Sequence, residues 1–320
     1  MTAYTADISQ AEAYTSSLVS HNLLSKGAIS GLIGAMAVTY LTEVVLPDYI
    51  WRKHAKTEVS GDGGEWLAFG GLGLNDADLV VRDLGNALLA PIDSMNYASK
   101  GASHSDVGAA LDRYNRKYFN PAQDPKKQLN IIGHSMGTFK ALKAGEACVR
   151  KGVSVPEFGT IVAISSPISE KDTHMGDAAR VIGRVPAGGV LAKLAVEFLS
   201  AEHSARFTPS ALVPSTRTAI TSLFNDLSPK LWRGMLKELS GPGFDIEAIK
   251  TFVTPNTQII HFGDENDDVV RMDRARDSYD RFAHATGASI KFVDTPGIGH
   301  ANVAGVRPYV VEALQLARAA

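Results

Sequence analysis

The sequence predicts an α/β protein: a mostly parallel, doubly wound sheet covered by helices, with a helical insertion between two core strands. Three observations predict it. From about residue 65 to the C-terminus, short apolar runs alternate with segments of helical spacing. The stretch 169–251 breaks that rhythm with helices punctuated by Pro186, Pro209, Pro214, Pro229 and Pro242. At the centre, the run Leu129-Asn130-Ile131-Ile132 passes through Gly133-His134-Ser135-Met136-Gly137 into a helical pattern.

Composition bounds the answer. The 320 residues are 45% hydrophobic and 21% charged, enough for a full core. A net charge of −2 with scattered Lys and Arg gives no electrostatic case for nucleic acid. The single cysteine, Cys148, excludes an intrachain disulfide framework and fits a reducing compartment. It falls on the packed face of a helix, which gives it no catalytic role. The nine histidines form no H-x-x-x-H or H-E-x-x-H pair, and there is no C-x-x-C, so neither metal nor other cofactor is expected.

The elements follow in order. Residues 1–60 form an N-terminal segment whose first 22 residues lack a basic n-region, so no signal peptide is expected. Residues 27–46 are apolar and glycine-rich, with Glu43 the one charge, and a basic cluster (Arg52, Lys53, His54, Lys56) follows. Two readings fit: a membrane anchor with the main domain on the cytoplasmic side, or a buried helix leading into the fold. The core is expected over 61–168 and 252–320. Ser60-Gly61-Asp62-Gly63-Gly64 is a turn, Glu65 to Phe69 a strand, and Gly70-Gly71-Leu72-Gly73 a glycine-rich turn. Asn75 or Asp76 caps a helix carrying Leu79, Val80 and Leu84. Ala87-Leu88-Leu89-Ala90 reads as a strand cut short by Pro91, and Ser105-Asp106 as the cap of a helix with Val107, Ala110, Leu111 and Tyr114 on one side.

After the central motif a helix carries Phe139, Leu142 and Cys148-Val149 on one face and stops at Gly152. Thr160 to Ile164 is a buried strand. The insertion at 169–251 then reads as a cap or lid, with helical spacing at Leu191, Leu194, Ala195, Phe198 and Leu199 and a core of Phe224, Trp232 and Met235. Thr257 to Phe262 is a strand leading to the acidic loop Gly263-Asp264-Glu265-Asn266-Asp267-Asp268-Val269-Val270. A helix from Met272 to Thr286 ends at Gly287, and Ser289 to Val293 is the last strand. Gly297-Ile298-Gly299-His300 follows, then a helix from Pro308 to Arg318.

Strand, G-x-S-x-G, helix is the context of a nucleophile elbow. A strand that reverses into a helix within two residues forces its central residue into a strained conformation, and the flanking glycines let neighbouring backbones pass. A serine hydroxyl needs a base within hydrogen-bond reach, and that base needs an orienting carboxylate. In an open parallel sheet the sites form at the carboxyl ends of strands. Ser135, the acidic loop and His300 each follow a strand, in the order Ser, Asp, His.

On these motifs, with the turn Phe69-Gly70-Gly71-Leu72-Gly73, the sequence resembles the α/β-hydrolase superfamily over roughly residues 65–320, the insertion matching in position alone. The resemblance implies Ser135 as nucleophile, His300 as general base and acid, and an aspartate as orienter. It also implies an oxyanion hole from the backbone amides of Met136 and Leu72. Asp267, before Asp268-Val269-Val270, fits the family pattern best. The loop is longer than usual and lacks the family's proline, so Asp264 and Asp268 stay open, as do Glu170 and Asp172 after the preceding strand. His134 is expected to shape the pocket rather than take the proton. The reaction expected is acyl transfer to water, and the apolar lid with the candidate membrane segment points to a carboxylic ester with a lipid-like or otherwise apolar acyl group. Thioester or amide cleavage, acyl transfer, and a non-catalytic membrane-associated binding protein are the alternatives; oligomeric state is not legible.

Overall fold

Strand β2 (Trp66–Phe69) is buried along its whole length. Its side chains alternate between two core clusters, Leu67 and Phe69 in one, Trp66 and Ala68 in the other, as the two-residue period of a strand requires. The computed structural model describes residues 56–71, 77, 80, 84, 88, 90–98, 102–119, 127–174, 229–300 and 302–319. Among these, β1 (Glu58–Ser60), β2, β3 (Ile92–Asn96), β4 (Leu129–His134), β5 (Phe158–Ile164), β6 (Gln258–Gly263) and β7 (Ser289–Asp294) make one sheet in the order β1-β3-β2-β4-β5-β6-β7. β1 pairs antiparallel with β3, and every other pair is parallel.

Helices cover both faces. On one lie α1 (His104–Tyr118), α2 (Gly137–Arg150), α3 (Pro229–Leu239), α4 (Ile246–Ile249) and α5 (Met272–Thr286), whose Val107, Leu111, Phe139, Leu142, Tyr279 and Phe282 share a core with Ile131 and Ile161. On the other, Val80, Leu84 and the helix α6 (Val303–Ala319), through Val303, Val306 and Val310, pack on Ile132, Val162, Ile260 and Phe262. This is the doubly covered, mostly parallel sheet expected. Of the 169–251 stretch, the described part is helical: a 3₁₀ turn at Glu170–Asp172, then α3 and α4. The apolar segment 27–46, the caps Asn75 and Asp76, Leu79, and the helical spacing from Leu191 to Leu199 with Phe224 lie outside the described residues. Among the described residues no helix is long and apolar enough to cross a membrane.

Three boundaries differ from the sequence expectation. The strand expected at Ala87–Ala90 is instead β3, beyond Pro91. Its polar Asp93, Ser94 and Asn96 are buried and hid it from an apolar pattern. Asp93 belongs there because its Oδ2 accepts from the amides of Gly63 (2.9 Å) and Gly64 (2.8 Å) and from the Tyr114 hydroxyl (2.7 Å). The cap of α1 is Ser103 rather than Ser105-Asp106: its hydroxyl accepts from the Asp106 amide, and Asp106 reaches back in a capping box. Helix α6 begins at Val303, so Pro308 lies inside it rather than at its first position; Pro308 forgoes one backbone bond near the start of the helix.

A polar seam crosses the first core. Lys140, fully buried, donates to the Ala102 carbonyl at 2.7 Å and to the Glu238 carboxylate of α3. Lys143 bonds Glu146 at 2.9 Å and the Gly243 carbonyl at 2.8 Å. Cys148 is buried, donates to the Gly108 carbonyl, and burial pushes its thiol up to about 11, which makes it inert.

A buried histidine, His261, and a half-buried one, His104, set an acid sensitivity. Burial lowers His261 to about 4, and burial with the neighbouring Lys140 and Lys143 charges lowers His104 to about 3. Both folded values lie below the ordinary 6.5, so between pH 6.5 and 4 the unfolded chain takes up protons that the folded chain refuses. Stability is then full above that window and falls as pH drops through it, by up to about 1.4 kcal/mol per pH unit for each histidine. Urea unfolding at pH 7 and pH 5 should show this loss, and His261→Gln should reduce the slope by about one proton. An identical slope in the variant contradicts the assignment.

Candidate active site

Strand β4 ends at His134, and α2 starts at Gly137. The reversal leaves Ser135 at φ 52, in the left-handed region that residues with a Cβ rarely adopt. Two contacts make it hold. The Ser135 amide donates to the Ile164 carbonyl of β5 at 2.9 Å, and the Ser166 hydroxyl donates to the Ser135 carbonyl. The flanking glycines answer to steric need: a Cβ at Gly133 would lie 2.2 Å from the Thr138 nitrogen, and one at Gly137 would lie 2.2 Å from the Phe69 carbonyl oxygen. Met136, the next residue, is the N-cap of α2, where the helix dipole favours negative charge.

A buried carboxylate comes from the loop after β6. Asp267, 2% exposed, accepts from the amides of Val269 and Val270 at 2.8 Å each. Burial works against its charge, but the His300 hydrogen bond and charge together with those two amides outweigh it and hold the carboxyl below its ordinary range. His300 closes the line. Its Nδ1 lies 3.1 and 3.0 Å from the two Asp267 oxygens, and its Nε2 lies 2.9 Å from Ser135 Oγ. A carboxylate accepts only, so Nδ1 carries the proton and Nε2 of the neutral ring accepts from the serine hydroxyl.

The other candidates have different work. Asp264 accepts from the Asn266 amide at 3.0 Å and from the Gly299 amide at 3.1 Å, so it holds the backbone beside His300 while Asp267 holds the ring. Asp172 accepts from the amides of Ile168 (3.0 Å) and Ser169 (2.9 Å) and from Ser278 Oγ (2.6 Å). Burial raises its pKa against those bonds, and it fastens the 3₁₀ turn to α5. Glu170 lies in that same turn, and Asp268 is half-buried in the acid loop. Leu72 lies outside the described residues. Gly71, before it, is within them: a Cβ there would sit 2.8 Å from Ser135 Cβ and 3.3 Å from His134 Nδ1, so the elbow leaves no room for a side chain at Gly71.

Two supports were not legible in the sequence. His174, at the entry to the insertion, bonds the Asp267 carbonyl through Nε2 at 3.1 Å, beside the Thr173–Val270 bridge. His261 on β6 donates from Nε2 to the Ser166 carbonyl at 3.1 Å, below the serine that holds the Ser135 carbonyl. Each lies far in sequence from what it braces, with no local pattern to mark it. Among the described residues no group of three or more His, Cys, Asp or Glu could hold a metal ion.

No family model matches the sequence, and no curated protein matches it. Solved structures resemble it in chain path. A carboxylesterase of the thaumarchaeon Nitrososphaera gargenis is 16% identical, matching 82% of this chain and 93% of its own, with a TM-score of 0.48. MenH from S. aureus is 11% identical over 82% of this chain and 97% of its own, with a TM-score of 0.49. A thermostable carboxyl esterase from Bacillus coagulans is 14% identical over 78% and 87%, with a TM-score of 0.47.

Gly71→Ala should destabilise the fold by about 1–3 kcal/mol in urea unfolding, since the added Cβ would fall 2.8 Å from Ser135 Cβ and the elbow must shift. Unchanged stability of the Gly71→Ala protein would show that this glycine is not required beside Ser135.

Proposed function

We propose that this chain, whose architecture is the α/β-hydrolase fold, is a serine hydrolase that cleaves carboxylic esters through an acyl-enzyme on Ser135. The observation that carries the reading is the continuous hydrogen-bonded line from Ser135 Oγ through the His300 ring to the buried Asp267 carboxylate. A binding protein has no use for a hydroxyl, an imidazole and a buried carboxylate in that order.

The geometry defines the steps. Ser135 Oγ attacks the carbonyl carbon while His300 Nε2 takes the hydroxyl proton. The carbonyl oxygen becomes an oxyanion beside the N-terminus of α2, where the Met136 amide, with that of Leu72, would donate to it. His300 returns the proton to the leaving alcohol, and the acyl group remains on Ser135. Water then attacks the acyl carbon, His300 takes its proton, and the acid departs with Ser135 restored. Asp267 stays anionic throughout: it holds Nδ1–H and balances the imidazolium. Residues 61–168 and 252–320 supply this machinery. A short acyl ester tests the class; thioesters and amides pass through the same intermediate and belong in the substrate panel.

A fluorophosphonate probe should label Ser135, and Ser135→Ala should abolish both labelling and turnover. Asp267→Asn should lower kcat by about 10⁴-fold through the wrong imidazole tautomer, and far more than Asp264→Asn or Asp268→Asn. Turnover that survives Ser135→Ala would end the proposal, and a larger loss from Asp264→Asn would move the acid.

A further inference from the structure

His134 is the last residue of β4 and lies next to the nucleophile. It is 7% exposed. Strand alternation puts it on the same face as Ile132, the face covered by α6, and the loop that carries His300 feeds that helix. The His134 Nε2 lies 2.9 Å from the backbone carbonyl oxygen of His300. A carbonyl only accepts, so Nε2 carries the proton and donates it. The two imidazole rings lie 5.5 Å apart, centre to centre, at 42°. On its other side, a Cβ built at Gly71 would lie 3.3 Å from His134 Nδ1.

The loop that carries His300 is tied at its start by the Thr295 amide on the Gly263 carbonyl and packs Ile298 against the second core. Gly297 and Gly299 take positive φ of 74 and 69, and a Cβ built at either meets nothing within 4 Å, so neighbouring atoms do not confine it there. Its side-chain anchors are Asp264 on the Gly299 amide, Asp267 on the His300 ring and His134 on the His300 carbonyl. The first two come from the loop after β6. Of these three, His134 comes from the strand that leads into Ser135.

We propose that His134 is a positioning residue that fixes the general base against the nucleophile by donating to the backbone carbonyl of His300. The inference rests on the serine hydrolase reading and deepens it. Asp267 sets the tautomer and tilt of the His300 ring, and His134 sets how far His300 stands from β4. Without it, the 2.9 Å contact from Nε2 to Ser135 Oγ depends on a glycine-bearing loop anchored two strands away. Proton transfer falls steeply with such a displacement, whereas binding of the acyl group does not involve it.

The test compares three proteins by steady-state hydrolysis of a short acyl ester and by the rate of fluorophosphonate labelling, each normalised to folded protein. His134→Phe keeps a ring but removes the donor; His134→Gln keeps a donor of similar reach. The Phe variant should lose about 10- to 100-fold in kcat and in labelling rate with KM within about two-fold, and Gln should stay within about five-fold of the original on each. If the Phe variant does not fold, His134→Leu against His134→Gln decides the same question. Full activity without the donor overturns the inference, and so does an equal loss in the Gln variant. The parent reading fails separately: an original protein left unlabelled at Ser135 removes the hydrolase proposal and this inference with it.

Discussion

The fold depends on how its strand ends are tied to one another. The Ser135 amide, just past β4, donates to Ile164 at the end of β5; the Ser165 amide, just past β5, donates to Phe262 in β6. The Thr295 amide, just past β7, donates to Gly263 at the end of β6. These bonds extend the parallel ladder one step beyond each strand and make the carboxyl rim a single hydrogen-bonded edge. Ser135 and Ser165 both take positive φ there, 52 and 43. Such conformations cost on the order of 1–3 kcal/mol each and persist where the surroundings over-determine them. With the rim fixed, the acid loop starts at Gly263 and the His300 loop at Thr295 from points set relative to Ser135.

Below that rim the support is layered. His261 holds Ser166, and Ser166 holds the Ser135 carbonyl. Lys140, one turn along α2 from the elbow, is tied to Glu238 of α3. Burial lowers the lysine and raises the glutamate, while their mutual attraction works the other way. A buried ion pair adds little net stability over a well-packed apolar pair, but losing one partner is severe. Here the pair ties α3, the described end of the insertion, to the helix that follows Ser135.

What the sequence showed follows from how locally each feature is determined. Helix α5 was legible to the residue, from Met272 to Thr286, because Gly287 closes it at φ 83. The strands β4 to β6 were legible because burial on both faces leaves apolar runs, and the half-exposed edge strand β7 from its Ile290, Phe292 and Val293. β3 was not, since Asp93 answers to Gly63, Gly64 and Tyr114, between 21 and 30 residues away. The three-residue edge strand β1 has no run to read. Among the acids, sequence favoured Asp267 by its neighbours Val269 and Val270, and the same two amides fix its carboxylate. The Asp264 contact to Gly299 and the His134 contact to His300 span 35 and 166 positions, so they needed the fold.

A crystal structure of the protein inactivated by a fluorophosphonate tests the central claim most directly. Phosphorus bonded to Ser135 Oγ, with His300 Nε2 within hydrogen-bond distance of that oxygen and Nδ1 on Asp267, is the result this account predicts. Phosphorus on another side chain, or a His300 ring turned away from residue 135, would contradict it.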